Sequence, residues 1–316
     1  MFALRGLVVA FSVFLIVYCI LSVAVCLTWS RFRQRIQHHR VRRIADSLFG
    51  LRMFPLATAA IITAVFTVPS FLLLEPRAID EPIGGVSLVL GVFGGFLGLA
   101  GATNALVAVF RASRSISSWT TDALPVATIN SIPVLRIHRS VPPMTAAGIL
   151  HPKVLLSGTA EFLLSDRELQ TALNHEVAHV RRRDNLRKLL IRFVAFPGMS
   201  GLEASWLEAM EMAADDAAVS THGEALDLAA ALIKLSRFAP AESRAELTAA
   251  LVHNPVSLVN ARVERLISWS DERRLQPQKW SIRSGLALAL GTLTVCAAVY
   301  SQLLSEIHAA TEWLMR

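Results

Sequence analysis

Four runs of apolar residues, each free of charge, punctuate the chain at 7–29, 55–74, 86–110 and 285–304. A helix needs about 20 such residues to cross a bilayer, so each run predicts a membrane span. The first could pass for a signal peptide, but it is long and lacks a small-residue cleavage site before Arg31, which favours a retained anchor. Between the third and fourth runs the pattern changes. "IPVLRIHR" and "KVLLSG" read as short strands bounded by Pro and Gly. "SDRELQTALNHEVAHVRRRDNLRKLL" reads as one long helix opened by a capping box, with Ser165 at the cap and Glu168 three residues on. Further helices are predicted at about 203–221, 224–238 and 258–271. The predicted fold class is α+β, with four transmembrane helices and an inserted, mostly helical domain carrying a small sheet. Its parts are 1–110 (three membrane helices and a basic loop), 111–283 (the polar domain) and 284–316 (the fourth helix and a short tail).

The charges orient this plan. The chain is 53% hydrophobic and carries a net charge of +7. Its basic residues are not interleaved with aromatics and form no nucleic-acid module, so no direct nucleic-acid partner is expected. "RFRQRIQHHRVRR" follows the first run and the net-acidic "EPRAIDEP" separates the second from the third. Arg111 and Arg114 follow the third run, and Arg273, Arg274, Lys279 and Arg283 precede the fourth. Basic loops stay inside, which puts both termini outside and 111–283 in the cytoplasm. The run at 31–43 is topogenic, with binding of anionic membrane lipid as the alternative. Gly91 with Gly95, and Gly94 with Gly98, have the spacing of close helix contacts, or of a loosely packed flexible helix. Cys19, Cys26 and Cys296 all fall in apolar runs, so the polar domain has neither disulfides nor a thiolate metal site.

Any metal there must be held by His and carboxylate. In "ALNHEVAHVRRRDN", His175 and His179 are four apart and share a helix face, where they can hold one ion, with Glu176 beside a bound water. Catalytic zinc wants three protein ligands and an open position. "WLEAMEMAADDAAV" offers Glu208, Glu211, Asp215 and Asp216. Glu211 and Asp215 share a face, so one could ligate while the other orients a histidine through its second ring nitrogen. The plainer alternatives are ordinary core or surface histidines and a solvated acidic helix face, although Ala213, Ala214, Ala217 and Ala218 suggest close packing around the acids.

"NHEVAHVRRRDNL" followed by "EMAADDAAV" resembles the BlaR/MecR-type family of integral-membrane zinc metallopeptidases, the beta-lactam-sensing signal transducers and their relatives. "MTAAGILHPKVLLS" is similar to that family's approach to the catalytic helix and "NARVERLISWSDERR" to its closing helix, so the likeness covers about 124–275. The resemblance implies a gluzincin-like domain with one zinc ion per chain. His175, His179 and Glu211 would be its ligands, Glu176 the general base and Asp215 the carboxylate holding His175, with Glu208 as the fallback third ligand. The chain ends about a dozen residues past the last apolar run, without the external sensor of the penicillin-sensing members, so direct beta-lactam sensing is not expected. Its only tyrosines, Tyr18 and Tyr300, lie in apolar runs, which leaves oxyanion stabilisation to His222, His253 or an arginine. Arg181, Arg182 and Arg183 suit a helix near anionic lipid heads, or simple solvation, and argue against a metal site inside the bilayer.

The function expected is that of a membrane-embedded zinc endopeptidase in a bacterial inner membrane, with its active site in the cytoplasm. Its protein substrate would be a cytosolic regulator, first a DNA-binding repressor of the penicillinase-repressor type, or a second copy of the chain in a homodimer. A non-catalytic signalling scaffold and a quality-control or prenyl-protein-type protease are the alternatives. Substrate is expected to add as a strand along Lys153, Val154, Leu155, Leu156 and Ser157, taken as a sheet edge; a buried central strand is the competing reading.

Overall fold

The computed structural model describes residues 2–36, 41–76, 83–138, 143–193, 196–237, 249–250, 256–269 and 299–315. The chain divides into two compact units, one of Met1–Gln34, Gly50–Gly101 and Pro277–Arg316, the other of Arg35–Phe49 and Ala102–Gln276.

Among the described residues, three helical spans are long and apolar enough to cross a membrane: Phe2–Trp29, Val41–Leu74 and Gly85–Thr120. The expected fourth span at 285–304 lies outside the described residues except at its end, where α11 (Tyr300–Met315) begins. In the first unit, α1 (Phe2–Ile36) meets α4 (Gly85–Thr120) through glycine. A Cβ on Gly91 would lie 2.9 Å from the Val8 carbonyl oxygen, and one on Gly94 would collide with that of Phe11. Gly95 and Gly98 leave ordinary room, 3.9 and 4.0 Å from the Phe11 ring. Of the four glycines, the packing therefore requires only Gly91 and Gly94.

The second span is one rod made of α2 (Val41–Ile61), a π-helical turn (Ile62–Thr67) and α3 (Val68–Leu74). Pro69 has no N–H to offer the Val65 carbonyl one turn back, and the wide turn lies just ahead of it. The Tyr300 hydroxyl donates to that carbonyl at 2.8 Å, and the Ser70 hydroxyl donates to Leu304 O at 2.9 Å. These two bonds seat α11 on the rod.

The second unit is built on a sheet of order β1-β2-β4-β3-β5. Its strands are β1 (Leu124–Ile129), β2 (Ile132–Ile137), β3 (Met144–Ala147), β4 (Lys153–Ser157) and the two-residue β5 (Ala249–Ala250). The β1–β2 hairpin turns at Asn130 and Ser131, both at positive φ. β4 pairs parallel with β2 and antiparallel with β3. Lys153–Ser157 is thus an interior strand, and the expectation of an open edge there fails. Its run of apolar side chains is the mark of a strand covered on both faces. Val154 and Leu156 enter the main core with Val177, Leu228 and Leu232, while Leu155 packs on the other face with Ile137 and the Ile116 and Trp119 end of α4.

The main core joins the sheet to α5 (Gly158–Leu163), α6 (Asp166–Arg182), α8 (Ser200–Ala218), α9 (His222–Ser236) and α10 (Val256–Ile267). The long helix expected through 190 is two helices. Arg183 adopts a left-handed conformation with φ 54°, which ends α6 and starts α7 (Asp184–Phe193) in a new direction.

Candidate metal centre

The capping box at the start of α6 forms in both directions: Ser165 Oγ accepts from the Glu168 N–H, and Glu168 accepts from the Ser165 N–H. Lys234 of α9 adds hydrogen bonds of 2.7 and 2.8 Å to the same carboxylate. So anchored, α6 buries His175, Glu176 and His179. α8 brings Glu211 to the same point.

His175 Nε2 and His179 Nε2 are 3.0 Å apart, and Glu211 Oε2 lies 3.6 and 3.7 Å from them. The other ring nitrogens face carboxylates: His175 Nδ1 is 2.9 Å from Asp215 Oδ1, and His179 Nδ1 is 2.8 Å from Asp184 Oδ2. Each Nε2 thus faces the other and Glu211. Three atoms able to ligate a metal converge, an arrangement that suits a cation.

The electrostatics agree. Burial would lower the His179 pKa, but Glu211 and Asp184 outweigh it and push it up to about 10. Burial would raise Glu211, but His179, His175 and Arg262 hold it well below the usual carboxylate range. The pocket thus stabilises positive charge at the point where an ion fits. Two histidines and a glutamate, with a carboxylate behind each imidazole, are the donor set of catalytic zinc.

Glu176 is fully buried and has a raised pKa, because burial outweighs the attraction of His179 and His175. Its Oε2 accepts from the Ala146 N–H, and its Oε1 has no hydrogen-bond partner. Asn185 donates to the carbonyls of Ala146 and Gly148 at 3.0 and 3.2 Å. The amide and carbonyl of Ala146 therefore both point away from β4, on the side of β3 where β5 pairs.

Asp215 does more than face His175. Arg262 of α10 donates to both of its oxygens, at 2.6 and 2.8 Å, and its Nη1 sits 3.2 Å from Glu211 Oε2. All three side chains are buried. Sequence reasoning missed Asp184 and Arg262, although both stand in stretches it quoted, "RRRDN" and "NARVERL". It also missed Lys188, whose pKa burial lowers against the pull of Glu211, Asp184 and Glu176.

Other candidates fall away from the site. Glu208 is exposed, and Asp216 pairs with Arg265. His222 Nδ1 lies 2.9 Å from the Trp269 carbonyl, a link to the chain just after α10. His253 lies outside the described residues. Arg182 lies 3.5 Å from Asp184 and 3.8 Å from Asp46, so carboxylates of its own chain account for it.

Residues 146–272 match the model of Peptidase family M48. The match begins at Ala146 on β3 and takes in α6, α8 and α10, hence every residue of the candidate metal centre. That region is similar to an M48 family domain, and the chain is a zinc metallopeptidase, a peptide hydrolase. No curated protein matches the chain.

Proposed function

We propose that the chain is a membrane-anchored endopeptidase that cuts an extended segment of a cytosolic regulatory protein, or of a second copy of itself. The observation that carries this reading is Glu176, with one buried oxygen unpartnered and the other on the outward edge of β3. An extended peptide laid along β3 in place of β5 would carry its own carbonyl past the base. β5 pairs with Thr145 and Ala146 on that edge, so substrate must displace it. This moves the proposed substrate strand from β4 to β3.

His175, His179 and Glu211 would hold the zinc, and Asp215 and Asp184 would fix the two imidazoles. When bound, zinc polarises the peptide carbonyl and acidifies a water. Glu176 takes the proton of the attacking water through Oε1 and passes it to the leaving nitrogen, so the C–N bond breaks without net consumption of the base. Arg262 acts at one remove, holding Asp215 and Glu211 in register.

The arginine-rich flanks of the apolar runs support a cytoplasmic zinc domain in a bacterial inner membrane. The resemblance to the BlaR/MecR type makes a DNA-binding repressor of the penicillinase-repressor type the first substrate to test. Mass-spectrometric comparison of new cytosolic protein termini in wild type and a Glu176→Gln strain decides the matter. Termini lost in the variant identify substrates; identical sets of termini would refute the reading.

A further inference from the structure

Apart from the peptidase centre, the described residues hold one other cluster with the ligand set of a metal ion: Glu75, His308 and Glu312. Glu75 follows α3 directly, and His308 and Glu312 stand one helical turn apart on α11. All belong to the first unit, where Tyr300 and Ser70 fix α11 against the rod. One ligand atom from each residue lies within 4.8 Å of the others.

Proximity alone would mean little. The telling feature is an unsatisfied pair of buried atoms. The Glu75 side chain is only 4% exposed, and its Oε1 pairs with Arg5 Nη2 at 3.0 Å. Its Oε2 is buried without a hydrogen-bond partner, and so is His308 Nδ1, which faces it. These two atoms are 4.0 Å apart. That is too far for a hydrogen bond, which would close to about 2.7–3.2 Å, and leaves room for an ion that would draw the two atoms together by a few tenths of an ångström. Glu312 Oε1 lies 3.6 Å from the opposite ring nitrogen, which cannot bind the same ion, so this 47% exposed carboxylate would have to turn toward Nδ1 to complete the site.

Charge points the same way. Two carboxylates against one guanidinium leave the cluster with a net negative charge, while Arg5 holds Glu75 in place. Mixed imidazole and carboxylate ligation suits a first-row transition ion better than magnesium or calcium. We infer that Glu75, His308 and Glu312 form a second divalent-metal site, separate from the peptidase centre, for an ion such as Zn2+. Occupancy ties α11 to the end of α3. The site stands whether or not the chain cuts the substrate proposed above.

The test is zinc stoichiometry of the full chain, purified in detergent, stripped of metal and titrated with Zn2+. Wild type should take up two equivalents. His308→Ala should take up one, and His175→Ala should also take up one, from the opposite site. Glu312→Gln changes an exposed carboxylate and avoids any question of folding; it should weaken the second equivalent about tenfold or more. One equivalent in wild type, two of unchanged affinity in His308→Ala, or unchanged affinity for both in Glu312→Gln overturns the inference.

Discussion

In the proposed mechanism each residue at the peptidase centre has a separable duty. Glu176→Gln removes the base and no ligand, so zinc content should stay at the wild-type level while kcat falls by roughly 10²–10⁴, the usual worth of a positioned base. Metal analysis alongside single-turnover cleavage checks both halves; full activity would remove Glu176 from the mechanism. Arg262→Met strips the counter-charge from two buried carboxylates. Breaking a buried pair in this way costs about 3–5 kcal/mol, so the variant should unfold at clearly lower denaturant concentration than wild type. Much of this geometry was legible in the chain, because a four-residue spacing on a helix puts two side chains on one face whatever the fold around it. That is how His175 and His179, and Glu211 and Asp215, announce themselves. Asp184 and Arg262 could not be read that way. Asp184 reaches His179 where the left-handed Arg183 interrupts the helix, and Arg262 meets Asp215 only because α10 docks against α8.

Among the elements, α6 owes its placement to Glu168, which caps the helix and receives Lys234 from α9. Burial would raise the Glu168 pKa, but Lys234 and the Ser165 backbone outweigh it and the net shift is downward. A carboxylate with a lowered folded pKa stabilises above its unfolded value, about 4.3, and loses that contribution as pH falls through the folded value. Glu168→Gln should therefore be less stable than wild type at pH 7, with the gap narrowing below about pH 4. Chemical denaturation at several pH values measures it, and a gap independent of pH would exclude the ion pair as the cause. At the membrane-type helices, Gly94→Leu must push α4 off α1, whereas Gly98→Leu meets only a ring 4.0 Å away. The first should lower the yield of folded chain and the second should not, as size-exclusion profiles in detergent would record. Sequence spacing paired each of these glycines with one four residues away. The helix crossing selects one member of each pair, which no local pattern encodes.

For the whole molecule, hydropathy located the three long apolar helices and the polar domain between hydrophobic segments, since solvent preference is a property of composition. Sheet order was less accessible. β4 is flanked by β2 and β3, and a short apolar strand looks the same at an edge as in the middle until its neighbours are known. The zinc centre also ties the domain's elements together, because its ligands come from α6 and α8. Chelation should lower the thermal midpoint, and zinc in excess should restore it by mass action; an unchanged midpoint would mean that the site is not metal-dependent.

The bond from Tyr300 to the Val65 carbonyl has a further meaning for how the chain is made. The two residues are separated by 235 positions. At roughly 5–20 residues per second, the proline-interrupted rod waits on the order of tens of seconds for the hydroxyl that completes it. During that interval the nascent chain presents an incomplete helix surface to the cell's membrane chaperones and degradative enzymes. A chain truncated before Tyr300 should stay in that condition for good. In pulse-chase labelling it should decay faster than full-length protein, and Tyr300→Phe, which keeps the ring and loses only the hydroxyl, should fall between the two.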